Sequence, residues 1–187
     1  MTGSRNHQHD DGGAAAVEFA LLLPLFAMLV IGLISSGFAF EAWLGVTQGA
    51  QDSSRFAATL SIQAGGGSSD TWLATVGQRA FDASNLGTTA SAVPGSIVCV
   101  ALFTPSNKFP APVTPVRRAV FTTDGAGTVS AVYSSGTACP GIPAPGSGAE
   151  YVQVSVSTPE SFNFVLGSAI ITVHGSSANR YEAVALS

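Results

Sequence analysis

The chain has 187 residues, enough for one ordinary domain or one domain with an appendage. Hydrophobic residues make up 46% and charged residues 10%, against roughly 25% charged in an average globular protein, so the chain is short of the charge that keeps a cytosolic surface in solution. Seven basic against eleven acidic residues give a net charge of -4. Arg117-Arg118 is the only adjacent basic pair, which argues against a nucleic-acid binder, since that needs a basic patch to displace counterions. The apolar content is too high and the net charge too low for a wholly disordered chain.

The first element follows a hydrophilic leader, MTGSRNHQHDDGG. Phe19 to Phe40 is a run of 22 residues without a formal charge. As a helix it would cover about 33 Å, against a hydrocarbon core of roughly 30 Å, and it reads as a membrane span. A removable secretory signal is the alternative, with Ser35-Ser36-Gly37 as a weak cleavage site, but its apolar region would be shorter, roughly 7–15 residues. Pro24 sits inside the run, where a membrane-embedded helix tolerates it better than one in water. Arg5 and the terminal amine precede the span and the first basic residue after it is Arg55, which favours a cytoplasmic N-terminus and an exported remainder. Glu18 stands at the very start of the apolar stretch. A carboxylate there either sits solvated among headgroups or has a function, because charge within a span is costly.

The helix is expected to continue from Glu41 to Ala58, with Trp43 as an interfacial aromatic anchor. Leu44, Val46, Ala50, Phe56 and Ala57 form only a loosely periodic apolar face. Residues 64–69 (AGGGSS) form a flexible break between stalk and head. A second helix is predicted over Thr71–Leu86, capped by Ser69 or Asp70 and ended by Gly87. Trp72, Val76, Ala80 and Phe81 share one face of it, although Gly77 weakens the helix.

Beyond Gly87 the pattern turns to strands: Ser96–Phe103, Val116–Thr122, Thr128–Tyr133, Tyr151–Ser157, Ala169–His174 and Tyr181–Leu186. Two Pro-rich segments, Thr104–Pro115 and Gly136–Ser147, read as surface loops. Phe162–Val173 is too short and too polar for a second span. Two cysteines, Cys99 and Cys139, in an exported domain predict one disulfide joining two β segments. They form no C-x-x-C motif and no zinc site. The order of elements is long helix, short helix, then antiparallel strands, an α+β arrangement.

No catalytic constellation emerges, and no cofactor or metal is expected. His7 and His9 lie in the leader, and His174 stands alone in a predicted strand. There is no G-x-S-x-G elbow and no H-E-x-x-H. Gly65-Gly66-Gly67 lacks the Lys-Ser/Thr of a phosphate loop, and Arg117-Arg118 reads as solvated or locally paired.

The segment GAAAVEFALLLP, Gly13 to Pro24, resembles the N-terminus of TadE-like proteins, minor pilin-like proteins of the tight-adherence (Tad/Flp) branch of type IV pilus systems. The resemblance is specific over about Asp11 to Arg55. Residues 178–182 (ANRYE) are similar to the family's closing strand. The leader is less basic than is usual there, and Ser35-Ser36-Gly37 stands where a Glu often precedes the Gly.

The resemblance implies a pilin-like fold, a long N-terminal transmembrane helix packed on a small, mostly antiparallel sheet. It implies a leader at 1–13, removed by a prepilin peptidase between Gly13 and Ala14, a helix at 14–60 and an exported head at 65–187. Glu18 then becomes the fifth residue of the mature chain, and Glu18 and Phe19 are the expected assembly residues. The implied partners are the prepilin peptidase, other major and minor pilins, the inner-membrane assembly platform and membrane lipid. The implied location is the inner membrane, then the pilus or cell surface.

Overall fold

The computed structural model describes residues 12–62, 67–88, 91–103, 115–135, 138–140, 150–164 and 167–181. Helix α1 (Gly12–Thr59) is a single helix of 48 residues, about 72 Å long at 1.5 Å per residue. It runs unbroken through Pro24, whose ring removes the N–H that the Ala20 carbonyl would accept.

Helix α2 (Ser69–Ala83) begins one residue after Ser68. Thr71 N–H donates to Ser68 Oγ at 3.2 Å and Ser68 N–H donates to Thr71 Oγ1 at 3.3 Å, a reciprocal capping box. The cap is therefore Ser68, not Ser69 or Asp70. The helix stops at Ala83, short of the predicted Leu86, because Asn85 takes a left-handed conformation (φ 56°) and turns the chain. The expected face of Trp72, Val76, Ala80 and Phe81 is buried, joined by Leu73 and Gly77. A Cβ on Gly77 would run into the Phe121 ring. The glycine that weakens the helix is what lets it lie close to the sheet.

A two-stranded pair, β1 (Gly87–Thr88) and β2 (Ser91–Ala92), follows α2. The main sheet holds β3 (Ile97–Phe103), β4 (Pro115–Thr123), β5 (Val129–Ser134), β6 (Tyr151–Phe164) and β7 (Gly167–Arg180), in the order β5-β4-β3-β6-β7. Every neighbouring pair is antiparallel. The fold is α+β and pilin-like: a long apolar N-terminal helix with an antiparallel sheet.

Strand alternation sorts the sheet into two faces. Val98, Val100 and Leu102 of β3 and Val152, Val154 and Val156 of β6 meet Trp72, Leu73 and Phe81 of α2 and Val46, Ala50 and Ala57 of α1. Burying each large side chain in this set contributes roughly 1.5–3 kcal/mol. On the opposite face Cys99, Ala101 and Phe103 pack with Cys139 in a smaller cluster.

Two predicted strands prove to be parts of longer ones. Tyr151–Ser157 extends to Phe164, and Ala169–His174 extends in both directions to Gly167 and Arg180. The pairing of β6 with β3 stops at Ile97↔Ser157. Beyond it β6 and β7 continue as a two-stranded ribbon from Thr158↔Val173 to Phe164↔Gly167. Pro159 is accommodated there because its missing donor can face an edge with no further strand. Tyr181 lies just past β7, and the rest of the predicted strand Tyr181–Leu186 lies outside the described residues, as do 64–66 of the hinge, 104–114, 136–137 and 141–147 of the two loops and 1–11 of the leader.

Candidate functional site

The lower part of α1 is apolar around its whole circumference. Phe19 is 67% exposed and Leu21 73%, and none of its large side chains is buried. A helix apolar all round belongs in a protein core or a membrane, and this stretch has no core around it. It is the one helix among the described residues long and apolar enough to cross a membrane. Phe19, Leu22, Leu23, Phe26, Val30 and Ile31 line an apolar groove of about 590 Å³ along one side. These positions follow the i, i+3, i+4 spacing of one helical face.

Glu18 lies on α1, exposed, immediately before this groove. Neither of the two salt bridges among the described residues involves it. Gly13 and Ala14 are already helical, and Ala14 precedes Glu18 by about one turn. Trp43, at the far end of the apolar run, is half-exposed and stands with its ring centroid 5.7 Å from that of Phe40.

From Val46 upward the helix changes character. Val46, Gly49, Ala50, Ser53, Ser54, Ala57 and Ala58 are all buried, a stripe with helical spacing made mostly of small residues. Leu44 and Phe56, which the apolar pattern placed on the packed face, are only partly buried. Small side chains let the backbones approach: a Cβ on Gly175 of β7 would collide with the backbone of Val46 and Thr47. The serines bond within and across this contact. Ser53 Oγ donates to the Gly49 carbonyl. Ser54 Oγ meets Ser177 Oγ at 2.9 Å and accepts from Asn179 Nδ2 at 2.6 Å. At the top, the Leu60 carbonyl accepts from Trp72 Nε1 at 2.8 Å and from the Tyr181 hydroxyl at 3.2 Å. Burial pushes the Tyr181 hydroxyl above its ordinary pKa, against a backbone hydrogen bond at Ile62, and the Glu150 carboxylate adds to the rise.

Two ion pairs hold the head's elements. Arg79 of α2 reaches Asp52 of α1 at 2.7 Å and lies over the Phe56 ring. Arg117 of β4 grips Asp70 of α2 with two bonds of 2.6 and 2.7 Å. Arg117 holds the Asp70 carboxyl below its ordinary value, with burial opposing. Arg118 donates to Ser134 Oγ and to the Ala138 carbonyl. That carbonyl belongs to the residue beside Cys139. Cys99 and Cys139 are bonded, with Cα atoms 5.7 Å apart. Cys99 lies on β3, but Cys139 lies on a segment outside the strands, so the bridge fastens a loop to the sheet instead of joining two β segments.

The structure thus gathers Glu18, Phe19 and the apolar groove on one end of α1. The disulfide lies in the head and shares no site with them. No group of three or more His, Cys, Asp or Glu side chains arranged to hold a metal occurs among the described residues. No curated protein and no solved structure matches the chain. The family model for TadE-like protein matches residues 13–55. That stretch is α1 from its first turn through most of its packed upper half, and over it the chain is similar to TadE-like proteins.

Proposed function

We propose that this chain is a minor pilin, or pseudopilin, of a tight-adherence pilus. It would be inserted with its N-terminus inside, cleaved between Gly13 and Ala14 by a prepilin peptidase, and assembled through α1. The TadE-like family is a pilus-associated, structural family, and the match at residues 13–55 supports a structural role over an enzymatic one. The other pilins of the system and its inner-membrane assembly platform are the partners this reading requires.

The observation that carries it is Glu18: an exposed carboxylate at the head of an unburied apolar helix, four residues after the residue that cleavage would make the new terminus. Once Ala14 is the first residue, its amine is a cation one helical turn, about 6 Å, before Glu18. In a bundle of such helices Glu18 of one subunit pairs with the Ala14 amine of the next, while Phe19 and the groove below pack against the neighbour's helix. Removing one partner of a buried pair costs about 3–5 kcal/mol, whereas the intact pair adds little net stability. Its role is to fix the register between subunits. Gly12 and Gly13 fit the processing step, because each glycine lowers helix stability by about 1 kcal/mol and lets the first turn open to a peptidase.

The test is co-assembly. Glu18→Ala should insert in the membrane like the wild type but fail to enter the pilus fraction with its partner pilins. Normal entry of Glu18→Ala would sink this reading. The other reading, a permanently anchored envelope protein, draws on the leader's single arginine, Arg5. It requires the same variant to be without effect.

A further inference from the structure

Below its first pair, the buried Thr158 and Val173, the β6–β7 ribbon contributes no described residue to the buried core or to the site above. Three observations bear on it. First, its register against α1 sets its direction. Gly175 packs on Val46, Ser177 on Ser54, and Tyr181 on Leu60. Going backward along β7 from Gly175 therefore moves down α1, toward the apolar run. Second, Glu160 of β6 shares a cleft with Phe38 and Glu41 of α1. Glu41 is the first charged residue after the apolar run, and Glu160 is the last before the tip of the ribbon. From 161 to 173 no residue carries a charge. Third, the β7 residues 167–172, below the buried Val173, are exposed: Ile170 is 74% exposed and Ile171 43%.

Glu41 and Glu160 thus line one cleft at the outer end of the apolar run, and the ribbon beyond Glu160 continues toward the span. We infer that the lower end of this ribbon, around Ile170 and Ile171, enters the outer interface of the lipid bilayer beside α1, as a second membrane contact. The inference rests on the reading of α1 as a membrane span with an exported head. Four residues separate Glu160 from Phe164, about 13 Å of strand. The interfacial layer on each side is roughly 5–8 Å deep, so a tip of that length crosses it and reaches the outermost acyl carbons. The edges of the ribbon carry unpaired backbone groups, which hydrocarbon cannot satisfy. That holds the tip at the headgroup boundary and keeps it from spanning. With no cation on the tip, the contact does not depend on anionic lipid. Its consequence is mechanical: two attachments fix the rotation of the head about the axis of α1, which one helix would leave free.

The test uses the full chain in phosphatidylcholine vesicles at low protein-to-lipid ratio. Because Cys99 and Cys139 are bonded, an added cysteine supplies a single thiol for an environment-sensitive fluorophore. Three variants are labelled: Ile170→Cys at the hairpin, Phe26→Cys in the span and Thr59→Cys at the exposed top of α1. Lipid with a nitroxide on its acyl chain near the headgroup is the quencher. The expected result is loss of most of the fluorescence at Ile170→Cys and Phe26→Cys, and none at Thr59→Cys. Quenching at Phe26→Cys without quenching at Ile170→Cys overturns the inference and leaves the span in place. Absence of quenching at Phe26→Cys overturns the span and the inference with it. If the label at position 170 leaves water only as protein-to-lipid ratio rises, a second copy covers the tip and the lipid contact is refuted.

Discussion

The two halves of α1 are one continuous helix with opposite relations to apolar surface. The lower half carries Phe19, Leu21, Leu22, Leu25 and Phe26, and the chain covers none of them. The upper half carries Gly49, Ala50, Ser53, Ser54 and Ala57, and the chain covers all of them. Large apolar side chains are usually read as core and serines as surface. Here the assignment is reversed, because the surroundings differ. The lower half is built for a medium that is itself apolar, where exposed leucine costs nothing. The upper half is built for close approach to a sheet, where a bulky residue would hold the backbones apart.

The largest expected effect separates the halves by stability. Trp72→Ala removes a fully buried ring and a donor to the Leu60 carbonyl, and should cost the head about 3–5 kcal/mol. Leu22→Ala removes a side chain that touches no core, and should change the head's stability by less than about 0.5 kcal/mol. Thermal unfolding of the two variants in detergent, followed by near-ultraviolet circular dichroism, measures both. A comparable loss from Leu22→Ala would mean that the lower half packs on the head after all.

Opening the disulfide comes next. The bridge closes a separation of 40 residues, for which chain entropy gives roughly 4 kcal/mol and measured bridges typically 2–4. Cys99→Ser with Cys139→Ser should lower the head's melting temperature and leave membrane extraction of α1 unchanged. Loss of membrane retention in that double variant would couple the two halves more tightly than their packing implies.

The smallest effect is a pH dependence confined to the head. Asp70 has a folded pKa below its ordinary 3.8 because Arg117 bonds it. The stabilisation is therefore present above the unfolded value, and is lost as the pH falls through the lower folded one. Both side chains are partly exposed, so the effect is modest. Asp70→Asn should be slightly less stable than wild type at neutral pH, and the difference should vanish as titration proceeds below about pH 3.8. A difference that persists in acid would assign the effect to packing.

Much of this was legible in the sequence where one physical signal dominated. The uncharged run from Phe19 to Phe40, the buried face of α2 and the alternation of β6 each have a period or length that few other structures share. The packed face of upper α1 was not, because glycine, alanine and serine carry almost no hydrophobic signal. The same cause hid the upper part of β7, where Gly175 and Ser177, on the face that meets α1, are small. The lower ribbon was obscured by Pro159 and Glu160, which fit a strand only where its edge is open. β1 and β2 are two residues each, too short for any period. The disulfide followed from the even count of cysteines, but nothing in the spacing told that Cys139 would stand outside the strands.

The proposed function requires that the N-terminal helix be processed and assembled. The most direct measurement is the N-terminal mass of the protein from membranes with and without its cognate prepilin peptidase. The account expects a chain beginning at Ala14 when the peptidase is present and an intact leader when it is absent. An uncleaved leader in both samples would contradict it and leave α1 a permanent anchor.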